Sequence, residues 1–355
     1  MMGSLFRNGF SKILAAGLPA LLFAVAVSPA QAAGPAPTQV NPTKFHPGYY
    51  AFIPSDGIIP GAVLKNDDFV GVKIKYTWRE LETAPGKYDF SLIDSHLATL
   101  KNAGKRLWIQ IEYVQWSSSS PPQTPSYMWT DSTYGGDPRY YGNYERTAQA
   151  GGWYPLYWNT KVRQRLVDLV MAMGLRYQRE AYVEGFSIPE TAADRAGEGF
   201  DCGAYQETLR QVAVAAKVSF GDKSILQMIN YACFDLAKHA AWLDSQGIGI
   251  GTPDVYNFKD GLTDVVYPLM LKYGNSVPVG PDVQWADYER NGIPVAGILD
   301  FAIKSTNPHY MFWRNREPYF SDEVMPAIWK TKLPRAEAFY GSGSVAAAPK
   351  PPVLQ

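Results

Sequence analysis

The sequence predicts a single (β/α)8 TIM barrel of the α/β class, and three observations carry that expectation. Short apolar strands alternate with amphipathic helical stretches from residue 45 onward. Such alternation gives parallel strands joined by crossover helices. Eight segments qualify as strands, the number that closes this barrel. About 300 residues remain once both ends are set aside, enough for one large domain with its own core.

The chain opens with an address rather than with the fold. Residues 1–33 read as a secretory signal peptide. Arg7 and Lys12 precede an apolar run over 13–27, and Ser28-Pro29-Ala30-Gln31-Ala32-Ala33 offers small residues for cleavage. The run is short for a membrane span and no basic stop follows it, so no stable membrane insertion is expected after cleavage. This predicts a secreted or periplasmic protein. Residues 34–44 form a linker, and the barrel occupies 45–340.

Strands are expected at 46–53, 71–76, 106–113, 183–188, 225–231, 247–251, 277–285 and 309–313. Helices are expected at 90–103, 160–179, 205–218, 234–245, 262–273, 296–305 and 323–331. In the first, Leu92, Ile93, Leu97 and Leu100 share one face at 3.6 periodicity. In the second, Val162, Leu166, Leu169, Val170 and Met173 form one stripe, and Asn159 can cap its start. The first repeat is the exception, because 54–69 has no helical pattern. One connection is long: residues 114–159 hold Trp116, Trp129, Trp153 and Trp158 among many Ser, Pro and Gly. Loops of that length in compact domains serve as lids or binding walls; the competing reading is a self-packed excursion. Residues 341–355 read as a flexible tail.

Composition narrows the function. Lys and Arg total 33, Asp and Glu total 33, and no basic stripe offers itself to nucleic acid. Most of the 10 Trp and 23 Tyr are expected in the core, and an excess over core needs suits flat sugar faces. Cys202 and Cys233 fall on neighbouring βα loops, and in an exported protein such a pair is expected to be oxidised. His46, His96, His239 and His309 lack zinc-ligand spacing, and no loop has calcium-ligand spacing, so no metal or cofactor is expected. No sustained heptads set an oligomeric state.

Polar groups in such a barrel converge where strands end. Strand four ends in Pro189-Glu190, whose competing reading is a cap for the next helix or a partner for Arg195. The other tips carry Trp78-Arg79-Glu80, Glu112-Tyr113, Asn230-Tyr231, Pro253-Asp254, Asp282 with Gln284-Trp285, and Trp313-Arg314. This ring of acids, amides, arginines and tryptophans lacks a Ser-His-Asp set, a phosphate-cradling glycine loop and a cysteine nucleophile. Glycosidic cleavage needs two carboxylates across the scissile bond.

The stretch 76–91, with Trp78-Arg79-Glu80 and Pro85-Gly86-Lys87-Tyr88-Asp89-Phe90, resembles the second-strand region of clan A glycoside hydrolases, especially their β-galactosidase-like barrels. The run 104–110 is similar to the third-strand entry of the same group. The resemblance covers about a third of the barrel. It implies a general acid/base glutamate at the end of strand four, which Glu190 matches, although Pro189 stands where the clan commonly has Asn. It implies a nucleophilic glutamate at the end of strand seven, where this chain has Gln284. It also implies a tryptophan floor after strand eight, which Trp313 matches.

The second acid therefore has three candidates: Asp282, one pleat deeper than Gln284, Asp254 after strand six, and Glu112 on strand three. Carboxyls about 5–5.5 Å apart give retention, and about 6.5–9.5 Å gives inversion. The competing roles are a buried partner for Arg79 or Arg314 in the cases of Asp282 and Glu112, and a turn acid for Asp254. Glu82 and Asp89 read as helix caps. Arg79, Asn230, Gln284 and Arg314 are expected to bind the sugar, with Trp78, Trp116, Trp285 and Trp313 stacking on its rings. The rival to hydrolysis is a carbohydrate-binding protein on a degenerate barrel.

Overall fold

Eight strands close into a parallel barrel: β1 (Gly48–Pro54), β2 (Phe69–Thr77), β3 (Arg106–Glu112), β4 (Val183–Ile188), β5 (Ser224–Met228), β6 (Gly249–Thr252), β7 (Val279–Val283) and β8 (Tyr310–Arg314). They hydrogen-bond in chain order, and β8 returns to β1. This computed structural model describes residues 45–117, 120–135, 153, 155–192 and 200–341. The signal peptide, the linker up to residue 44 and the tail from 342 lie outside them.

Every expected strand forms, within a few residues of its expected ends. The weak first repeat is real: 54–69 yields a single turn, Gly61–Lys65, where a full helix would cover the barrel. The later helices match their periodicity. Thr160–Tyr177 starts with Asn159 accepting the Lys161 amide at 2.8 Å, and it buries Leu166, Leu169, Val170 and Met173. Capping by such a side chain is worth about 1 kcal/mol.

Strand parity sorts the core into two shells. Outward residues such as Val72, Ile74 and Tyr76 of β2 pack under the helices. Inward residues Tyr50, Phe52, Trp108, Leu226, Met228, Tyr310 and Phe312 fill the barrel. Gly185 makes room for this filling: a Cβ there would stand 2.6 Å from the Trp108 ring. The floor is polar but saturated. Glu184, a bulge residue on β4, accepts from the His46 amide at 2.5 Å, pairs with His46 Nδ1 at 2.8 Å, and accepts from the Tyr310 hydroxyl at 2.6 Å.

The stretch that resembles clan A makes a structural corner. Thr77 caps the turn Trp78–Leu81 through a reciprocal pair with Glu80. Gly86, at φ 75°, turns the ribbon Glu82–Ala84 and Lys87–Tyr88, a conformation that favours glycine. Glu82 is no helix N-cap. It is buried and accepts from Trp78 Nε1 at 2.7 Å, from the Gly86 amide at 2.8 Å and from Arg165. Asp89 does cap locally, accepting the Ser91 amide at 2.9 Å.

Cys202 and Cys233 form a disulfide, with their Cα atoms 5.9 Å apart. It ties the start of the helix after β4 to the loop after β5. Among the described residues no helix is long and apolar enough to cross a membrane.

Candidate active site

Glu190 stands two residues beyond β4, where the chain leaves the barrel. Its position is fixed from the neighbouring strand. Gln227 on β5 donates to the Pro189 carbonyl at 2.5 Å, which pins the peptide before Glu190. Thr191 accepts the Asn230 amide at 2.9 Å, and its hydroxyl donates to Asn230 Oδ1 at 3.4 Å. That arrangement turns Asn230 Nδ2 toward Glu190, to which it donates. The clan's Asn before the acid is absent, but an amide reaches the acid from the next strand.

Burial and the charge of Asp254 push the Glu190 carboxyl up to about 8, against the Asn230 hydrogen bond and the Lys75 ammonium. A carboxyl so placed holds its proton at neutral pH, as a general acid must. Asp254 follows β6. Burial pushes it up to about 6, with Lys259 opposing and the Asp282 charge adding to the rise. Among the described residues Asp254 has no hydrogen-bond or ion-pair partner.

The other two candidate acids are already engaged. Asp282, on β7, is buried and receives Lys73 Nζ of β2 at 2.7 and 2.8 Å. Neither Arg79 nor Arg314 is its partner: Lys73, which parity points into the same interior, donates to both of its oxygens. Burial pulls Lys73 down to about 8, despite Asp282, and raises Asp282, despite Lys73. Glu112 on β3 pairs with Lys75 of β2 at 2.7 Å. Burial alone would lower Lys75, but Glu112 outweighs it and the ammonium is held above its ordinary value.

Two expectations need correction. Trp78 is fully buried with its indole on Glu82, so its ring stacks on no sugar. Trp313 is also fully buried. Parity sends Tyr310, Phe312 and Arg314 inward and Trp313 outward, where it lies parallel to Tyr288 at 6.5 Å. Arg79 is exposed on the turn after β2; its backbone amide donates to the Gln123 carbonyl, and among the described residues its side chain has no hydrogen bond or ion pair.

The remaining predicted residues do reach the surface or the mouth. Trp116 is 38% exposed and Trp285 45% exposed, and Arg290 lies 6.0 Å above the Trp285 ring. Tyr231, beside Asn230, is 45% exposed. Gln284 is half-buried, its backbone N–H given to Asp287 at 2.9 Å. In the long loop, Trp129 and Trp158 pack against the core, so this part is self-packed. Residues 118–119, 136–152 and 154 of that loop, and Arg195 beyond Glu190, lie outside the described residues.

Sequence reasoning missed Lys73, Lys75, Phe52 and Asp287. Asp287 is wholly buried and accepts the amides of Val255 and Gln284, each at 2.9 Å, joining the loop after β6 to the end of β7. Burial and Asp254 push it up to about 8. The lysines carried a signal: in a strand whose two faces are both buried, the polar alternate positions must face the barrel interior.

No protein-family profile matches the chain, and no curated protein matches it. Its likeness is to solved structures. The catalytic domain of β-amylase from Paenibacillus polymyxa has a TM-score of 0.54 at 10% identity, over 86% of this chain and 100% of that one. The β-galactosidase of the psychrophilic Marinomonas ef1 has 0.53 at 10% identity, over 83% of this chain and 59% of that one. GH5_18 from Streptomyces cattleya, in complex with GlcNAc, has 0.51 at 13% identity, over 87% of this chain and 83% of that one. These neighbours are clan A glycoside hydrolases on an eight-stranded parallel barrel, the group the sequence resembles. At such identities the likeness is one of fold.

Proposed function

We propose that this chain is an exported glycoside hydrolase in which Glu190 is the general acid and Asp254 the second carboxylate. The observation that carries the reading is the pairing of environments at the mouth. Glu190 is held by one amide and driven toward its neutral form, while Asp254, whose charge acts on it, has no ion partner among the described residues. Two carboxyls pushed to different values are the arrangement that divides acid from base.

Glu190 protonates the leaving glycosidic oxygen. Asp254, ionised, attacks the anomeric carbon or activates water against it. Asn230 orients Glu190 and can release its amide to a sugar hydroxyl. Trp116, Tyr231 and Trp285 supply exposed rings for stacking along a glycan. Asp282 and Glu112 hold the lysines. The disulfide and the N-terminal pattern over 1–33 support export.

The test is release of reducing ends from a panel of polysaccharides. Glu190→Gln should lower turnover about 10²- to 10⁴-fold, the usual worth of a general acid, with glycan binding kept. Near-parental turnover in that variant removes Glu190 from the chemistry. One observation favours a second reading: Gln284 stands where the clan has its nucleophile. If the parent binds glycans but releases nothing between pH 5 and 9, the chain is a carbohydrate-binding protein on a barrel that has lost its chemistry.

A further inference from the structure

The barrel mouth has two unlike halves. Strands β4, β5 and β6 contribute Glu190, Asn230 and Asp254. Strands β8, β1 and β2 contribute cations, all gathered around one ring. Lys73 Nζ lies 5.1 Å from the centroid of Phe52, Lys75 Nζ 5.3 Å and the Arg314 guanidinium 5.4 Å. The register explains the cluster: Phe52 of β1 pairs with Lys73 of β2 on one side and with Arg314 of β8 on the other.

Two of these cations are spoken for. Lys73 is neutralised by Asp282 and Lys75 by Glu112. Arg314 is not. Its carbonyl receives the Tyr288 hydroxyl at 2.8 Å, but among the described residues its guanidinium has no hydrogen bond or ion pair, although it is largely withdrawn from solvent. A half-buried guanidinium above an aromatic ring keeps its planar fork free for a bidentate anion. Asp56, Glu112 and Asp282 act on it through their charge alone, and burial still holds it below its ordinary value, a cost that a bound anion would relieve.

We infer that the glycan bound here is anionic, with a carboxylate on the sugar at the mouth that is gripped by Arg314 and faced by Lys75. In a uronic acid the exocyclic carboxylate projects from the ring carbon next to the ring oxygen. The inference rests on the proposed glycan site but not on turnover.

The experiment measures binding in the Glu190→Gln background, so that catalysis is not required. The probes are oligomers of galacturonate, glucuronate, alginate and hyaluronan, and the same oligomers after reduction of their carboxyls to alcohols. At least one acidic series should bind more tightly than its reduced counterpart, with an advantage that shrinks as salt rises. Arg314→Gln should weaken that series roughly ten- to hundredfold, and the reduced series much less. Arg314→Lys should restore part of the preference. Equal binding of acidic and reduced oligomers, or neutral oligomers preferred, overturns the inference while leaving hydrolysis standing. Binding of neither also overturns it. Acidic binding with no turnover by the parent supports it and sinks the hydrolase reading instead.

Discussion

Two glutamates leave the same stretch of chain at opposite ends of β4, and their surroundings could hardly differ more. Glu184, at the floor, spends its oxygens on the His46 amide, the His46 ring and the Tyr310 hydroxyl. Glu190, at the mouth, has the Asn230 amide and the field of Asp254. A buried carboxylate with several donors is part of the scaffold. One withdrawn from water with a single donor and a like charge nearby is pushed toward its acid form. The lesson is that burial alone does not make an active-site acid; burial with too few donors does.

Exchanging the two fates gives the sharpest break. Glu184→Ala should destabilise the fold by about 3–5 kcal/mol, because it strands a histidine and a tyrosine in the floor. Catalysis per folded molecule should survive. Chemical denaturation read beside turnover checks this, and a stable but inactive variant would reverse the assignment of the two ends. Asp282→Ala, which leaves Lys73 alone in the interior, should cost a similar amount.

A smaller effect is the pH profile. Asp254 must be ionised and Glu190 protonated, so turnover should rise through about pH 6 and fall through about pH 8. The two acids influence each other, so both limbs belong to the pair. In Asp254→Asn, which should lose turnover, the loss of a like charge should let Glu190 give up its proton at lower pH, read by direct titration of that carboxyl. An unchanged titration separates Asp254 from Glu190.

The smallest effect is on stability. The folded chain holds the Glu190 proton up to about pH 8, whereas an unfolded glutamate loses it near its ordinary value of 4.5. Between those values the folded state binds more protons, so this group's contribution to stability falls as pH rises. Glu190→Gln removes that loss. Its melting temperature should exceed the parent's by an increment that grows from pH 5 to pH 8, and a flat difference would mean that Glu190 is not perturbed.

Much of this was legible in one dimension. Eight strands, the missing first helix and the paired cysteines followed from alternation and spacing, which are local or compartmental properties. Glu190 was legible because a carboxylate after an apolar run marks a strand tip. The role of Trp313 was misread for a physical reason: side chains alternate across a strand, so a one-residue difference in where β8 stands sends the ring under the helices instead of into the mouth. Trp78 failed similarly, since its indole is consumed by Glu82.

What the sequence determined by itself is therefore the barrel, its order and one acid at its rim, because periodicity and strand ends are written within a few residues of each other. Which acids remain free was decided only by the tertiary structure. Lys73 meets Asp282 across 209 positions of sequence, and Lys75 meets Glu112 on the adjacent strand. Those pairings occupy two of the three candidate second acids and leave Asp254 open. They exist because closing the sheet brings β2, β3 and β7 around one interior, a proximity that residue spacing does not encode.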